Sequence, residues 1–473
     1  MILSFLCFLL MFTLVGVLSA KKSRGTKQDY YLASNTVQPW LVGLSAVATN
    51  NSGYMFIGVI GYTYVAGLSA FWLMLGWISG DYLASRFVHA RLRDAAPRTG
   101  EVSYAGVISN WYGKRHSALQ RTMGLISLSF LLVYASAQLV AGSKALHVLF
   151  DWPIWAGATL SAFLVTLYCI AGGIRASIWT DAAQSIVMVL AMGLLLVIAT
   201  SSLGGIDQAM IEMGAIDGFM SWFPGDLPFP GLPGALLFAA SWLFAGLSII
   251  GQPHIMVRFM ALNDNRKMNQ ARRWYYAWYV LFYAMATAVG MLSRVYLSDA
   301  ATFDAELALP VMAQALFPPV LVGLVLAGIF AATMSTADSL VLGCSAAITH
   351  DLLPYNVERT SVMKIITVLV TAFALLWALL NSQSVFSLVV MAWSGLASAF
   401  APLLIILCLG GKPGSGVSIL AVCSGLLVAL GWRMMGWHDF VYEGMPGILS
   451  GFLILCGALF LSRRREAQLT QSL

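Results

Sequence analysis

Apolar stretches of about twenty residues follow one another along this 473-residue chain, and most of its charge sits in the short gaps between them. A stretch of that length crosses hydrocarbon as an α-helix. Hydrocarbon offers no hydrogen-bond partner, so a helix is the only open-ended backbone it tolerates. Thirteen such stretches lie near 1–20, 39–65, 68–90, 120–147, 153–173, 180–202, 234–259, 273–297, 316–348, 362–381, 385–409, 416–435 and 444–462. The ninth is long for one crossing, and Pro318 and Pro319 mark a bend or short helix at its start. The expected fold is an all-α polytopic membrane protein with 13 transmembrane helices.

Composition excludes several functions. The chain is 59% hydrophobic and 10% charged, whereas soluble domains carry about 25% charged residues. Six cysteines (Cys7, Cys169, Cys344, Cys408, Cys423, Cys456) fall in apolar stretches without a CxxC pair, so neither a disulfide framework nor a zinc site is expected. The six histidines are scattered and none pairs at ligand spacing, which argues against a membrane enzyme. No P-loop is present, which disfavours an ATP-driven pump and points to an ion gradient as the energy source for uphill transport. The net charge of +6 sits in short loops and reads as topology, not as nucleic-acid binding.

Residues 1–20 end in Leu18-Ser19-Ala20, which looks like a signal-peptide cleavage site. The basic residues Lys21, Lys22, Arg24 and Lys27 follow the apolar run instead of preceding it, so the run reads as a first helix with its N-terminus outside. On that orientation 23 of the 26 Lys and Arg lie inside; only Lys144, Arg294 and Arg433 lie outside or at the outer edge. The C-terminus is then cytoplasmic. The longest outer loops run near 203–233 and 298–315, the first reading as solvated linker with short surface helices. About ten residues follow the last helix, too few for a signalling domain.

Two spans are interrupted by polar residues. Ala48-Thr49-Asn50-Asn51-Ser52-Gly53 breaks the second, and Ala331-Ala332-Thr333-Met334-Ser335-Thr336 the ninth. Asn and Ser compete for backbone hydrogen bonds and Gly weakens a helix, so the second span can open there. Opened carbonyls suit a small hard cation; the alternative is helix–helix packing through small polar residues. In the ninth span Ala332, Ser335 and Thr336 share one face at three- and four-residue spacing. They either offer a carbonyl and two hydroxyls to an ion or back-bond the preceding turn. Asp338 is an ionisable group at membrane depth, functional or paired with an inner arginine. Asp181 stands at the inner start of the sixth span, as a helix cap or as a cation way-station. Gly251-Gln252-Pro253-His254 kinks the seventh span, either as an ordinary membrane kink or to bring Gln252 to a cavity. Tyr134 and Trp393 are aromatic residues within spans, packed or lining that cavity.

Four segments together resemble the sodium/solute symporter family. They are Ile178-Trp179-Thr180-Asp181; Gly251-Gln252-Pro253-His254-Ile255 with Arg258-Phe259-Met260; Met334-Ser335-Thr336 with Cys344 to Leu352; and Ala392-Trp393-Ser394-Gly395. The resemblance implies a LeuT-type fold of two inverted five-helix repeats, 39–202 and 234–409, preceded by the helix at 1–20. Two accessory helices and a short cytoplasmic tail would fill 410–473. It also implies sodium-coupled symport of a small organic solute by alternating access, with proline or a related amino acid first and a carboxylate as an alternative. The implied sodium ligands are Ala48, Asn51 and Ala332 through carbonyls and Ser335 and Thr336 through hydroxyls, with Asp181 and Asn50 on the ion's route. The implied solute pocket is Ser52, Gly53, Tyr134, Trp242, Ala245, Ile249, Gln252, Pro253 and Trp393.

Some positions depart from the family's proline-carrying members. Asn50 replaces an Asp, which leaves a proton-coupled or uniport carrier open. Asn35 replaces an Arg, and Ala245 and Ile249 replace two aromatics, with Trp242 one turn away to refill the space. The expected partners are sodium, the solute and the lipid bilayer, with no organic cofactor, no ATP and no nucleic acid. The resemblance places a functional monomer in a bacterial cytoplasmic membrane.

Overall fold

A computed structural model describes residues 1–21, 23–297, 303–355, 357–380 and 384–471. Lys22 and residues 298–302 of the expected second outer loop lie outside the described residues. Apart from one isolated bridge, the described residues form helices, turns and loops. Among the described residues eleven helical stretches are long and apolar enough to cross a membrane. Two of these, Pro39–Thr99 with 61 residues and Ile154–Ser202 with 49, far exceed the roughly 20 residues one crossing needs. Each is broken by a glycine, Gly67 at φ 60° and Gly173 at φ 56°. A β-carbon at Gly173 would fall 2.5 Å from the Tyr30 carbonyl oxygen, so both φ and space demand glycine there.

The principal helices are α1 (Ile2–Ala20), α2 (Pro39–Gly53), α3 (Ala70–Thr99), α4 (Ser117–Phe150) and α5 (Ile154–Ser202). After a linker carrying a short helix at Ile206–Gly214 come α6 (Leu232–Leu247), α7 (Pro253–Met260) and α8 (Met268–Tyr296). A short helix, Ala308–Leu316, precedes the Pro318-Pro319 pair, which opens α9 (Pro319–Ala346). Then follow α10 (Thr360–Leu380), α11 (Val385–Cys408), α12 (Ser415–Met434) and α13 (Gly444–Gln471).

Burial sorts these helices. α9 and α11 are buried along most of their length and form the centre, with α9 packed on α5, α4 and α2. α1, α10, α12 and α13 expose Leu, Phe and Val along one side and are peripheral. Helices apolar all round are what a lipid-facing bundle needs.

One end of the bundle is stitched. Val37 donates its N–H to the Ala261 carbonyl (3.1 Å) and accepts from Asn263 N–H (2.9 Å), an isolated parallel bridge. Asn35 Nδ2 adds a bond to the Met260 carbonyl at 2.8 Å. Ala33, Ser34 and Asn35 all take positive φ (47°, 53°, 53°) to bring the chain there. The entry to α2 and the exit of α7 are therefore tied together.

Candidate functional site

The polar run in α2 breaks the helix as its composition predicts. Ser52 sits at φ 45°, ψ −177°, close to a region only glycine adopts without strain. A wide turn with π-type bonding follows over Tyr54–Val59. Gly53 N–H turns to Gln138 Oε1 (2.8 Å) and Tyr54 N–H to Ser52 Oγ (3.0 Å). The Thr49 carbonyl thereby loses the Gly53 N–H as its helical partner, and α9 meets it and the neighbouring Ala48 carbonyl. Ser335 Oγ lies 3.3 Å from the Ala48 carbonyl and 3.0 Å from that of Ala332. Thr336 Oγ1 donates to the Thr49 carbonyl at 2.9 Å, and Thr49 Oγ1 reaches back to the Ser335 carbonyl at 3.4 Å.

Four of the five expected ion ligands (Ala48, Ala332, Ser335, Thr336) thus share one fully buried seam. The fifth, Asn51, is buried beside it. Its Nδ2 bonds the Val47 carbonyl (2.8 Å) and its Oδ1 has no hydrogen-bond partner. These uncharged oxygen donors match a hard monovalent ion and not a transition metal.

A charged network adjoins the seam. Asp181 lies inside α5, not at its start, so a cap role does not describe it. Its Oδ2 accepts from Ser45 Oγ (2.6 Å) and from Arg258 Nη2 (3.0 Å), with Thr49 Oγ1 at 3.5 Å. Arg258 also donates to Ser45 Oγ (2.7 Å), Ser177 Oγ (3.0 Å) and Ser339 Oγ. Asp338 takes hydrogen bonds from Ser177 and Ser339 and meets Arg258 only through them. Serines satisfy much of this desolvated ion pair, but Asp181 Oδ1 is buried without a hydrogen-bond partner.

On the other side of the break lies an aromatic and amide cluster. Tyr134 Oη bonds Ser52 Oγ at 3.2 Å, and its ring stands edge-on to His254 at 5.5 Å. Gln252 is extended between a one-turn 3₁₀ segment at Ser248–Gly251 and α7, with Pro253 at the first position of α7. Its Nε2 bonds the carbonyls of Trp393 (2.9 Å) and Ser248 (3.1 Å), and Trp393 Nε1 bonds the Ala245 carbonyl (3.0 Å). Several buried polar atoms here have no partner: Gln252 Oε1, both ring nitrogens of His254, Gln138 Nε2 and Tyr54 Oη. Buried polar groups are rarely left unmade, and a cluster of them marks a place where a ligand's polar groups fit.

Two expected pocket residues stand apart. A β-carbon at Gly53 would lie 2.5 Å from Thr333 Cγ2, so Gly53 is a close-packing position between α2 and α9. Trp242 packs its ring on Tyr62 (5.9 Å) and Phe238 (6.2 Å). It lines a separate cavity of about 250 Å³ with Phe386, Arg433 and Glu443. Ala245 and Ile249 are buried near Trp393 and Gln252 and leave small aliphatic side chains there.

Sequence reasoning passed over Asp81, which is fully buried on α3. Its carboxylate accepts from Tyr275 Oη (2.6 Å) and Tyr276 Oη (2.8 Å), and Asn50 Nδ2 stands 3.5 Å away. The available signal was an acid in the middle of a span. His254 and Gln138 were also missed as site residues; the available signals were the four-residue spacing from Tyr134 to Gln138 on one helix and the place of His254 next to Pro253 in the kink.

The Sodium:solute symporter family model matches residues 30–409. The chain belongs to that family. The symporter is 29% identical over 474 residues to the sodium/proline symporter of Escherichia coli (strain K12), covering 95% of this chain and 91% of that protein. It is 30% identical over 468 residues to sodium/proline symporter 2 of Staphylococcus saprophyticus, covering 93% and 88%. Among solved structures it matches a Na⁺-coupled sialic acid symporter in a substrate-bound outward-open state. That match has a TM-score of 0.78 at 19% identity, over 97% of this chain and 96% of the other. A second match, Mhp1, is a nucleobase-cation-symport-1 family transporter. It has a TM-score of 0.58 at 14% identity, over 92% and 95%. The symporter therefore has the fold of sodium-coupled membrane transporters, and its family is one of carriers, not enzymes.

Proposed function

We propose that this sodium-coupled symporter carries a small zwitterionic solute, proline or a related amino acid first, with one break in α2 serving both ion and solute. Sodium is held by the carbonyls of Ala48, Asn51 and Ala332 and the hydroxyls of Ser335 and Thr336, with Asp181 on its route. The solute lies against Ser52, Tyr134, His254, Gln252 and Trp393. The observation that carries this reading is the strained Ser52. One helical turn before it in the chain lies the seam at Ala48 and Thr49, and its own hydroxyl meets Tyr134. Counting the two glycine-broken stretches as two crossings each makes thirteen crossings, with the inverted repeats in 39–202 and 234–409. The basic loops favour an N-terminus outside and a C-terminus in the cytoplasm of a bacterium, and a single chain contains every group the site needs. One charge moving inward at 100 mV releases about 2.3 kcal/mol, enough for strong accumulation.

A second reading concerns the solute alone. Ala245 and Ile249 keep the pocket wall small, which favours a bulkier solute on the same coupling machinery. Labelled proline uptake into proteoliposomes, with and without an inward sodium gradient and against unlabelled competitors, separates the two. Sodium-driven uptake blocked by proline supports the first reading. Sodium-driven uptake of a different solute with no proline transport replaces it by the second.

A further inference from the structure

Two carboxylates touch the broken part of α2. Asp181 does so through Ser45 and Thr49, and Arg258 neutralises it at 3.0 Å. Asp81 does so through Asn50, and among the described residues no Lys, Arg or His pairs with it. Every group around Asp81 is a neutral donor: the hydroxyls of Tyr275 and Tyr276 and the amide of Asn50. Asn50 also bonds Tyr275, so amide, phenol and carboxylate form one closed ring of contacts. On α8, Arg272 bonds the Ser85 carbonyl and Asn269 Oδ1 at 3.1 Å. A buried carboxylate at membrane depth without a cation is costly, and such groups stay where they act.

The polar run itself, Thr49-Asn50-Asn51-Ser52, carries no charge. We propose that Asp81 supplies it: a positioning residue on α3 that holds Asn50 and places a negative charge beside the opened carbonyls, raising their affinity for a monovalent cation. The inference rests on the placement of sodium at Ala48 and Thr336 described above. Charge is the active property, so the position of the carboxylate within this ring matters less than its presence. Moving it from Asp81 to residue 50 by the exchange N50D/D81N keeps one carboxylate and one amide in contact.

The test is the sodium concentration for half-maximal uptake in proteoliposomes, with maximal rate and thermal melting measured alongside. S335A/T336A serves as the control for the ion site itself. Asp81→Asn is expected to raise half-saturation by about tenfold, the effect of one well-placed charge, with maximal rate changed far less. The exchange N50D/D81N is expected to return to within about threefold of the parent. N50D alone sets two carboxylates against each other and is expected to fall short of the exchange. If S335A/T336A shifts half-saturation and D81N does not, the role of Asp81 is overturned while the ion site stands. If neither shifts it, the ion placement fails and the inference with it. Where D81N does not fold, the exchange decides: near-parent half-saturation supports the proposal, and a tenfold loss in a folded exchange variant overturns it.

Discussion

The hydroxyl of Thr336 donates to the carbonyl of Thr49 at 2.9 Å, so the two polar interruptions, 287 residues apart, are bonded to each other across the centre of the bundle. Each supplies what the other lacks: α2 has opened carbonyls and α9 has rigid hydroxyls on an unbroken helix.

Removing those hydroxyls tests the ion site. The double variant S335A/T336A is expected to raise the sodium needed for half-maximal uptake about tenfold or more, while the fold survives with a loss of about 1–3 kcal/mol for two buried hydrogen bonds. An unchanged sodium dependence in a folded double variant would remove these residues from the ion site.

Strain at Ser52 makes a paired prediction. Its backbone conformation costs about 1–3 kcal/mol for any residue but glycine. Both S52G and S52A lose the hydroxyl that meets Tyr134, so both are expected to weaken solute uptake. Only S52G relieves the strain, so it should melt several degrees above S52A in detergent. Equal melting temperatures would mean that the backbone at this position is not strained.

The Arg258–Asp181 pair is fully buried, and losing one partner strands the other. R258Q is expected to cost about 3–5 kcal/mol, read by chemical denaturation or melting. R258Q/D181N, which leaves no orphan charge of that pair, should recover most of the loss. Additive losses in the double variant would show that the two side chains do not act as a pair.

At the stitched end, Asp29 anchors the short helix Lys27–Leu32 to Arg175 at 2.5 Å. Burial raises its pKa, but the bonds from Arg175, the Arg24 N–H and the Ser34 hydroxyl outweigh that and hold it below the ordinary carboxylate value. A lowered folded pKa means that the stabilisation is complete above the unfolded value and is lost only as pH falls through the lower one. D29N should therefore lower the melting temperature equally at pH 7 and pH 5.5. A penalty that faded between those two values would contradict the assignment.

The helices and the break in α2 were legible because each is written in consecutive residues, runs of twenty apolar positions and four polar residues before Gly53. The expected interruption of the ninth span is not a break: α9 runs on as one helix through Thr336, its Ser and Thr hydroxyls bonding without opening the backbone. The contacts between distant elements were not legible. Asp181 reads from its neighbours as either a cap or a cation way-station, because only the folded chain shows α5 continuing through it and Arg258 arriving from α7. Asp81 was hidden by its setting among aromatic and apolar residues, and its partners Tyr275 and Tyr276 lie 194 and 195 positions away. Trp242 reads as a neighbour of Ala245 at helical spacing, but its ring leans away to Tyr62 and Phe238.

The bridge between Val37 and Leu262 has a mechanical meaning. It joins the start of α2, whose break presents the ion-side carbonyls, to the end of α7, whose first turn follows Gln252. Two fractured rods pinned at a common end behave as a single lever. A tilt at Ala48 is carried through the pin to Gln252, so on the proposed placement of ion and solute a single stroke would release both.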